Sequence, residues 1–302
     1  MTFFNPTRRK TFKKCPKRFS YRYIEPGVAE ELDGHNQRHG LYGVRELGGH
    51  FVHKTLAEMV RAIAAGDHSW NYKAAGVKCV EDFKLIVAKS LATEPGEWTP
   101  GSEEQLAETF NGVNAGDIKD DVNHWIDSIP TMIENGYGAA LELRLGHETS
   151  NYRLEAEKRV NWIRQGDPYH LIMDVVSRTV NGRSDDHIVV VDWKGKGHAM
   201  IDDEDFHQVR WYLRYFHEVE KIPAWKLHGF VVPLTRGKPE EVNFDPDRHI
   251  VGPARPRGLT IPRIAKRGDR YPAKPHPELC VSCPYASMCP DALLPTPCSS
   301  II

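Results

Sequence analysis

Leu171-Ile172-Met173-Asp174-Val175-Val176 and, further on, Val189-Val190-Val191-Asp192-Trp193-Lys194 are two apolar runs, each carrying one aspartate. Apolar, β-branched runs of this length read as strands. A carboxylate inside or at the end of such a strand costs several kcal/mol if it stays charged and unpaired. A hard divalent cation is the usual compensation. Asp192 and Lys194 are two residues apart, so in a strand they face the same side. With a cation on Asp192, the Lys194 ammonium lies beside it. There it can orient or deprotonate an attacking water and steady the charge of a phosphoryl-transfer transition state. A D-x-K triplet alone reads equally well as a carboxylate at a strand end paired with its neighbouring lysine.

Working outward, Tyr152–Ile163, Tyr169–Thr179 and His187–Lys194 read as three strands joined by turns at Arg164–Pro168 and Asn181–Asp186. The unbroken run Ile188–Val191 suits a central strand buried on both faces. Asp203–Val219 has the pattern of a helix and Trp225–Val232 of a further strand; residues 236–276 are loop-rich. Upstream, residues 44–65 form an amphipathic pattern with Val52, Leu56, Met59, Val60 and Ile63 on one stripe. Residues 76–94 and 102–135 are also helical in pattern, separated by the loop Pro95–Gly101. The expected fold class is α/β, a mixed central sheet flanked by helices. A single domain over residues 1–302 is expected, with a helical region at 66–146 and the sheet and its helix at 147–235.

The chain has 302 residues, 40% hydrophobic and 27% charged, with a net charge of −1. That composition suits a soluble globular enzyme, and any basic surface must be local. Arg8, Arg9, Lys10, Lys13, Lys14, Lys17, Arg18 and Arg22 make such a stretch, and residues 253–270 another. No apolar run is long enough to span a bilayer, and the basic N-terminus lacks the apolar stretch of a signal peptide, so a cytoplasmic location and no membrane partner are expected. Six cysteines in a reducing compartment point to ligands rather than disulfides. Cys280, Cys283 and Cys289 give three closely spaced thiols. A fourth ligand can come from Cys298, Cys79 or Cys15, and spacing alone favours zinc closed by Cys298 or His276. Gly48–Thr55 imitates a phosphate-binding loop, but His53 stands where the second glycine must turn, so that reading is set aside.

Several of these segments together resemble the RecB-like nucleases of the PD-(D/E)XK superfamily. Ile172–Gly195 is similar to their G-x-x-D … D-Y-K-T-G pattern, with Leu171 in place of the glycine and Gly195 in place of the threonine. Gly49–Glu58 resembles the G-x-x-x-H-x-x-L-E helix, with Ala57 intervening before the glutamate. Gln208 and Tyr212, one turn apart on the helix after the lysine, resemble the Q-x-x-x-Y motif that lines the DNA path. Lys10–Tyr23, around Cys15, is similar to the family's opening S-x-L-x-x-Y-x-x-C-P-R-R-F-x-Y, and Cys280–Pro290 to the closure C-x2-C-x5-C-P of its iron–sulfur subset.

The resemblance implies a restriction-endonuclease-like core with a helical insertion and ends, residues 1–30 and 275–302, stapled by a cluster. His53, Asp174, Asp192 and the backbone carbonyl of Trp193 would hold Mn²⁺ or Mg²⁺, the imidazole favouring Mn²⁺. Asp174, Asp192 and Lys194 would carry catalysis, and Gln208 and Tyr212 would meet substrate. Cys15, Cys280, Cys283 and Cys289 would ligate a 4Fe–4S cluster. The implied activity is hydrolysis of DNA, by an exonuclease on single-stranded or free-ended DNA in recombination, repair or phage- and CRISPR-related processing. That leaves room for a helicase or recombination partner. The alternative is a DNA-binding or complex-building module that keeps the fold without catalysis and carries a structural zinc or iron–sulfur site.

Overall fold

The computed structural model describes residues 6–24, 40–67, 69–97, 104–145, 152–164, 167–179, 187–195, 201–247 and 271–294. The expected turn Asn181–Asp186, the basic stretch 253–270 and Cys298 lie outside the described residues. The chain forms two compact units: Met1–Gly48 with Asp82–Ile126 and Pro253–Ile302, and Gly49–Glu81 with Asp127–Gly252.

The second unit holds the sheet. Its strands are β3 (Tyr152–Arg164), β4 (Asp167–Thr179), β5 (Ile188–Lys194), β6 (Leu227–Pro233) and β7 (Glu240–Glu241), side by side in that order. The β5/β6 pair is parallel; the other three are antiparallel, so the sheet is mixed as expected. The run Ile188–Val191 does lie in the central strand. Helix α7 (Asp203–Glu218) connects β5 to its parallel neighbour, the crossover that such a pair requires. Its start is fixed by a capping box between Asp202 and Asp205. Against β6 the helix comes so close that a Cβ on Gly229 would sit 2.5 Å from Val209 Cγ1, which explains the glycine. Val190, Val209, Leu213, Phe216 and Val231 form the buried core between them. The expected strand Trp225–Val232 begins two residues later, because Ala224–Lys226 forms a 3₁₀ turn first.

Strand β4 pairs with β5 only over Val175–Arg178, whereas with β3 it continues to Arg164↔Asp167. The far half of the β3–β4 hairpin therefore leaves the sheet at Asp174.

The first unit contains α1 (Pro6–Lys14), α2 (Pro16–Phe19), the short parallel pair β1 (Leu41–Tyr42) and β2 (Gln105–Leu106), α5 (Ala107–Phe110) and, in the tail, α8 (Pro277–Val281). Three longer helices run through both units: α3 (Val44–Ala64), α4 (Tyr72–Ala92) and α6 (Ala115–Glu142). The first two match the helical patterns at 44–65 and 76–94. The single helix expected over 102–135 is corrected. Leu106 donates its backbone N–H to Ser90 Oγ, β2 pairs with β1, and Gly112 at φ 77° ends α5 before α6 begins. Apolar spacing alone did not reveal that break, since Leu106 and Phe110 keep a helical interval. At the head of α3, Gly48 faces Trp125, which would lie 2.2 Å from a Cβ there.

One buried carboxyl in this unit makes the fold pH-dependent. Glu108 is 6% exposed, and its Oε1 accepts the Val44 N–H (3.0 Å) at the start of α3, while Oε2 has no hydrogen-bond partner. Burial pushes its pKa up from 4.5 to about 7, the Val44 N–H opposes this, and Glu46 and Asp121 add repulsion. The folded protein therefore holds this proton more tightly than the unfolded chain. Stability contributed by the neutral carboxyl is fully present below about 4.5 and lost as pH rises through about 7. The loss is on the order of 3 kcal/mol at about 1.4 kcal/mol per unit. Urea unfolding at pH 5 and pH 8 is expected to show it in the wild type and not in Glu108→Gln. Equal pH dependence of the two proteins would refute the role given to Glu108.

Candidate active site

Strands β4 and β5 part at Asp174, and the chemistry-bearing side chains gather there. With the ladder open, Asp174 Oδ2 accepts the backbone N–H of Trp193 at 2.8 Å. Its other oxygen lies 3.4 Å from His53 Nδ1, delivered by α3. Asp192 is 1% exposed, and Lys194 Nζ stands 2.5 Å from its Oδ2. That contact is a close, buried ion pair. Lys194 Nζ also donates to Gln208 Oε1 at 3.0 Å. Gln208 Nε2 donates to the Tyr212 hydroxyl at 2.5 Å, and that hydroxyl donates to the Ile172 carbonyl at 2.6 Å. The lysine is thus anchored through α7 to the backbone of β4.

The structure brings together His53, Asp174, Asp192, Trp193, Lys194, Gln208 and Tyr212, all seven expected from the sequence for this site. Gln208 and Tyr212 face Lys194, and Tyr212, 1% exposed, is enclosed behind it. One neighbour was missed. Asp205 is buried 3.9 Å from Lys194 Nζ. Its signal was the Asp202-Asp203-Glu204-Asp205 run at the start of the helix, which reads only as a cap.

Charge in this site is out of balance. Burial pushes the Asp192 carboxyl up to about 6; Lys194 pulls it down and Asp174 pushes it up further. Asp174 is also opposed by burial, but His53 and Lys194 outweigh that and hold it below its ordinary value. For His53 burial favours the neutral ring, and Asp174 reverses the sign, raising its pKa. Lys194 is likewise raised, Asp192 and Asp174 overcoming its burial, so it is an ammonium at neutral pH. Two nearby buried carboxylates beside one imidazole offer an oxygen-rich donor set that fits an added hard cation and suits Mg²⁺ or Mn²⁺.

In the first unit, Cys15, Cys280, Cys283 and Cys289 line one cavity, together with Arg18 and Tyr285. The two chain ends meet around it: Phe12 and Phe19 pack on Tyr271, Tyr21 on Tyr285, and Lys274 Nζ donates to the Lys13 carbonyl. Cys15 Sγ accepts the Arg18 N–H as the cap of α2, and Asn111 Nδ2 bridges the carbonyls of Val281 and Cys283. The Arg18 guanidinium forks onto Glu46 at 3.0 and 3.1 Å. Burial raises the Cys283 thiol to about 11, with Arg18 pulling it down and Cys15 and Cys280 pushing it up. A buried thiol of this kind ionises only against a metal or another strong positive charge, and an all-sulfur set suits an iron–sulfur cluster or zinc. As the side chains stand, no three His, Cys, Asp or Glu among the described residues form a closed metal-ligand set. Cys79 is buried within α4 and His276 precedes α8; neither lines this cavity.

Among the described residues no helix is long and apolar enough to cross a membrane. A search of curated proteins finds no match. Among solved structures, the chain is similar to SSO0001 at 16% identity and a TM-score of 0.28, over 58% of this chain and 79% of that one. It is similar to VC1899 from Vibrio cholerae at 12% identity and a TM-score of 0.24, over 77% of this chain and 48% of that one. At those TM-scores neither likeness adds to the argument. A sequence model of one family, in contrast, matches residues 4–290, from before α1 to beyond the last of the three tail cysteines. A match over nearly the whole length, on a mixed sheet with helices on its flanks, means that this chain belongs to the PD-(D/E)XK nuclease superfamily, a group of metal-dependent nucleases.

Proposed function

We propose that this protein is a DNA exonuclease of the RecB-like kind, acting on single-stranded or free-ended DNA with Mn²⁺ or Mg²⁺ and carrying a 4Fe–4S cluster in its first unit. The observation that supports the catalytic reading best is the Asp192–Lys194–Gln208–Tyr212 chain: a buried ammonium held between the Asp192 carboxylate and the Gln208 amide oxygen. Asp174, Asp192, His53 and the Trp193 carbonyl are the ligands we assign to the cation. When bound, it supplies Lewis-acid charge against the phosphate. Lys194 enters as a cation, so its part is to hold the attacking water and offset charge on the phosphoryl oxygens. Gln208 and Tyr212 keep its ammonium in place, and His53 stays on Asp174 through their shared contact. Cys15, Cys280, Cys283 and Cys289 are the cluster ligands in this reading, supported by the one cavity they line. A helicase or recombination protein is a fitting partner for such an activity, in the cytoplasm.

The test is Mn²⁺-dependent cleavage of end-labelled linear and closed circular single-stranded DNA. Linear DNA is expected to be degraded, circles to resist, and a chelator to stop the reaction. Equal attack on circles would make the protein an endonuclease. No cleavage of either substrate would favour the non-catalytic DNA-binding module.

A further inference from the structure

Glu157 is a glutamate in mid-strand at φ 51°, in the left-handed region that side chains other than glycine seldom adopt. On either side of it the ladder stays in step, Ala156↔Val175 and Lys158↔Met173, so no residue is inserted and Glu157 stands across from Asp174. Like charges directly opposite one another repel. Glu157 is instead paired with Arg61 at 2.5 Å, both side chains about half exposed. Arg61 is two turns beyond His53 on α3. Next along the hairpin, Arg159 pairs across to Ile172, which is 40% exposed, and Asn161 to His170, whose side chains meet at 2.8 Å. Arg159 is exposed and has no ion-pair partner among the described residues. The reverse face of the hairpin is covered, Trp162 and Tyr169 packing on Trp211 of α7. Arg61, Arg159, Asn161 and His170 thus flank an open strip that begins at Asp174. Ile172, opposite Arg159, is two residues from Asp174, about 7 Å along the strand.

We propose that Arg61 and Arg159 form a second phosphate-binding site, which holds the substrate backbone one or two nucleotides from the scissile bond. Glu157 competes with that backbone for Arg61, so the strained residue is an acidic latch that the incoming strand displaces. The inference rests on the nuclease reading above, and its ligand is a nucleic-acid phosphodiester.

The experiment measures binding of a fluorescein-labelled oligothymidylate by anisotropy, with Ca²⁺ in place of Mn²⁺, over a range of salt, on the full chain. Arg61→Gln and Arg159→Gln should each weaken binding about fivefold to tenfold. Each should also flatten the slope of log affinity against log salt by about 0.7, the value of one phosphate contact on a single strand. Glu157→Gln should have the opposite sign, tightening binding severalfold. Cleavage at limiting DNA should fall with binding in Arg61→Gln and Arg159→Gln, and the melting temperatures of all three variants should report folding. A wild type that cleaves DNA while the three variants bind as it does overturns this inference alone. Weaker binding by Glu157→Gln, with slower cleavage at saturation, would make Glu157 a metal ligand and also overturn it. A wild type that binds no DNA overturns it together with the nuclease reading.

Discussion

Replacing Lys194 with alanine is expected to slow Mn²⁺-dependent DNA cleavage about a thousandfold, the scale for loss of one preorganised charged donor in a water-excluded site. The ammonium is nearly enclosed, with Asp192 2.5 Å to one side and Gln208 3.0 Å to the other. The other charges that act most strongly on it are carboxylates, Asp174 and Asp205. Removing it leaves Asp192 buried without its counter-charge, which ordinarily costs several kcal/mol. Here the carboxyl, already raised to about 6, takes up a proton in the metal-free variant and gives it up when a cation binds, so both the fold and the cation site should survive. Asp192→Asn should be as inactive and should also lose cation binding, which Lys194→Ala should retain. Single-turnover kinetics with Mn²⁺, alongside a thermal melt, separates the two. Cleavage by folded Lys194→Ala within tenfold of wild type would remove Lys194 from the mechanism.

The centre of this site was legible because strand periodicity constrains it. Two apolar runs carrying Asp174 and Asp192 place both carboxylates by alternation, and Lys194 follows two residues later on the same face. Gln208 and Tyr212 were legible as an i, i+4 pair, but their action through Lys194 was not, since that depends on where α7 crosses β5. Position 157 was invisible. Nothing in Glu155-Ala156-Glu157-Lys158 announces a left-handed residue, and glutamate has no local preference for one. It becomes visible only when register sets it across from Asp174. Glu108 was hidden for a related reason. It lay within a run read as one helix, and its burial depends on β2 pairing with β1 some 60 residues earlier in the chain. Long-range pairing of two-residue strands leaves almost no periodic signal in a sequence.

Cys15→Ser is expected to remove iron and to loosen both chain ends at once, even though Cys15 is separated from the other three cysteines by most of the chain. The protein purified without oxygen should be brown and hold about four irons. Cys15 caps α2, Cys280 lies in α8, Cys283 and Cys289 follow it, and all four border one cavity. A centre bound by all four closes a loop of well over 100 residues. By the chain-entropy estimate for cross-links, that contributes on the order of 5 kcal/mol. Contacts between the ends then depend on the centre: Phe12 and Phe19 on Tyr271, and Lys274 on Lys13. Hydrogen exchange should rise in residues 6–24 and 271–294 together, in Cys15→Ser as in Cys283→Ser. Cys79→Ser should keep both iron and protection, because Cys79 lies inside α4 and borders no part of that cavity. If zinc is the resident metal, the protein is colourless and holds one zinc per chain. If Cys15→Ser leaves metal content and exchange unchanged, the tail cysteines complete their site without the N-terminal segment and the cross-link does not exist.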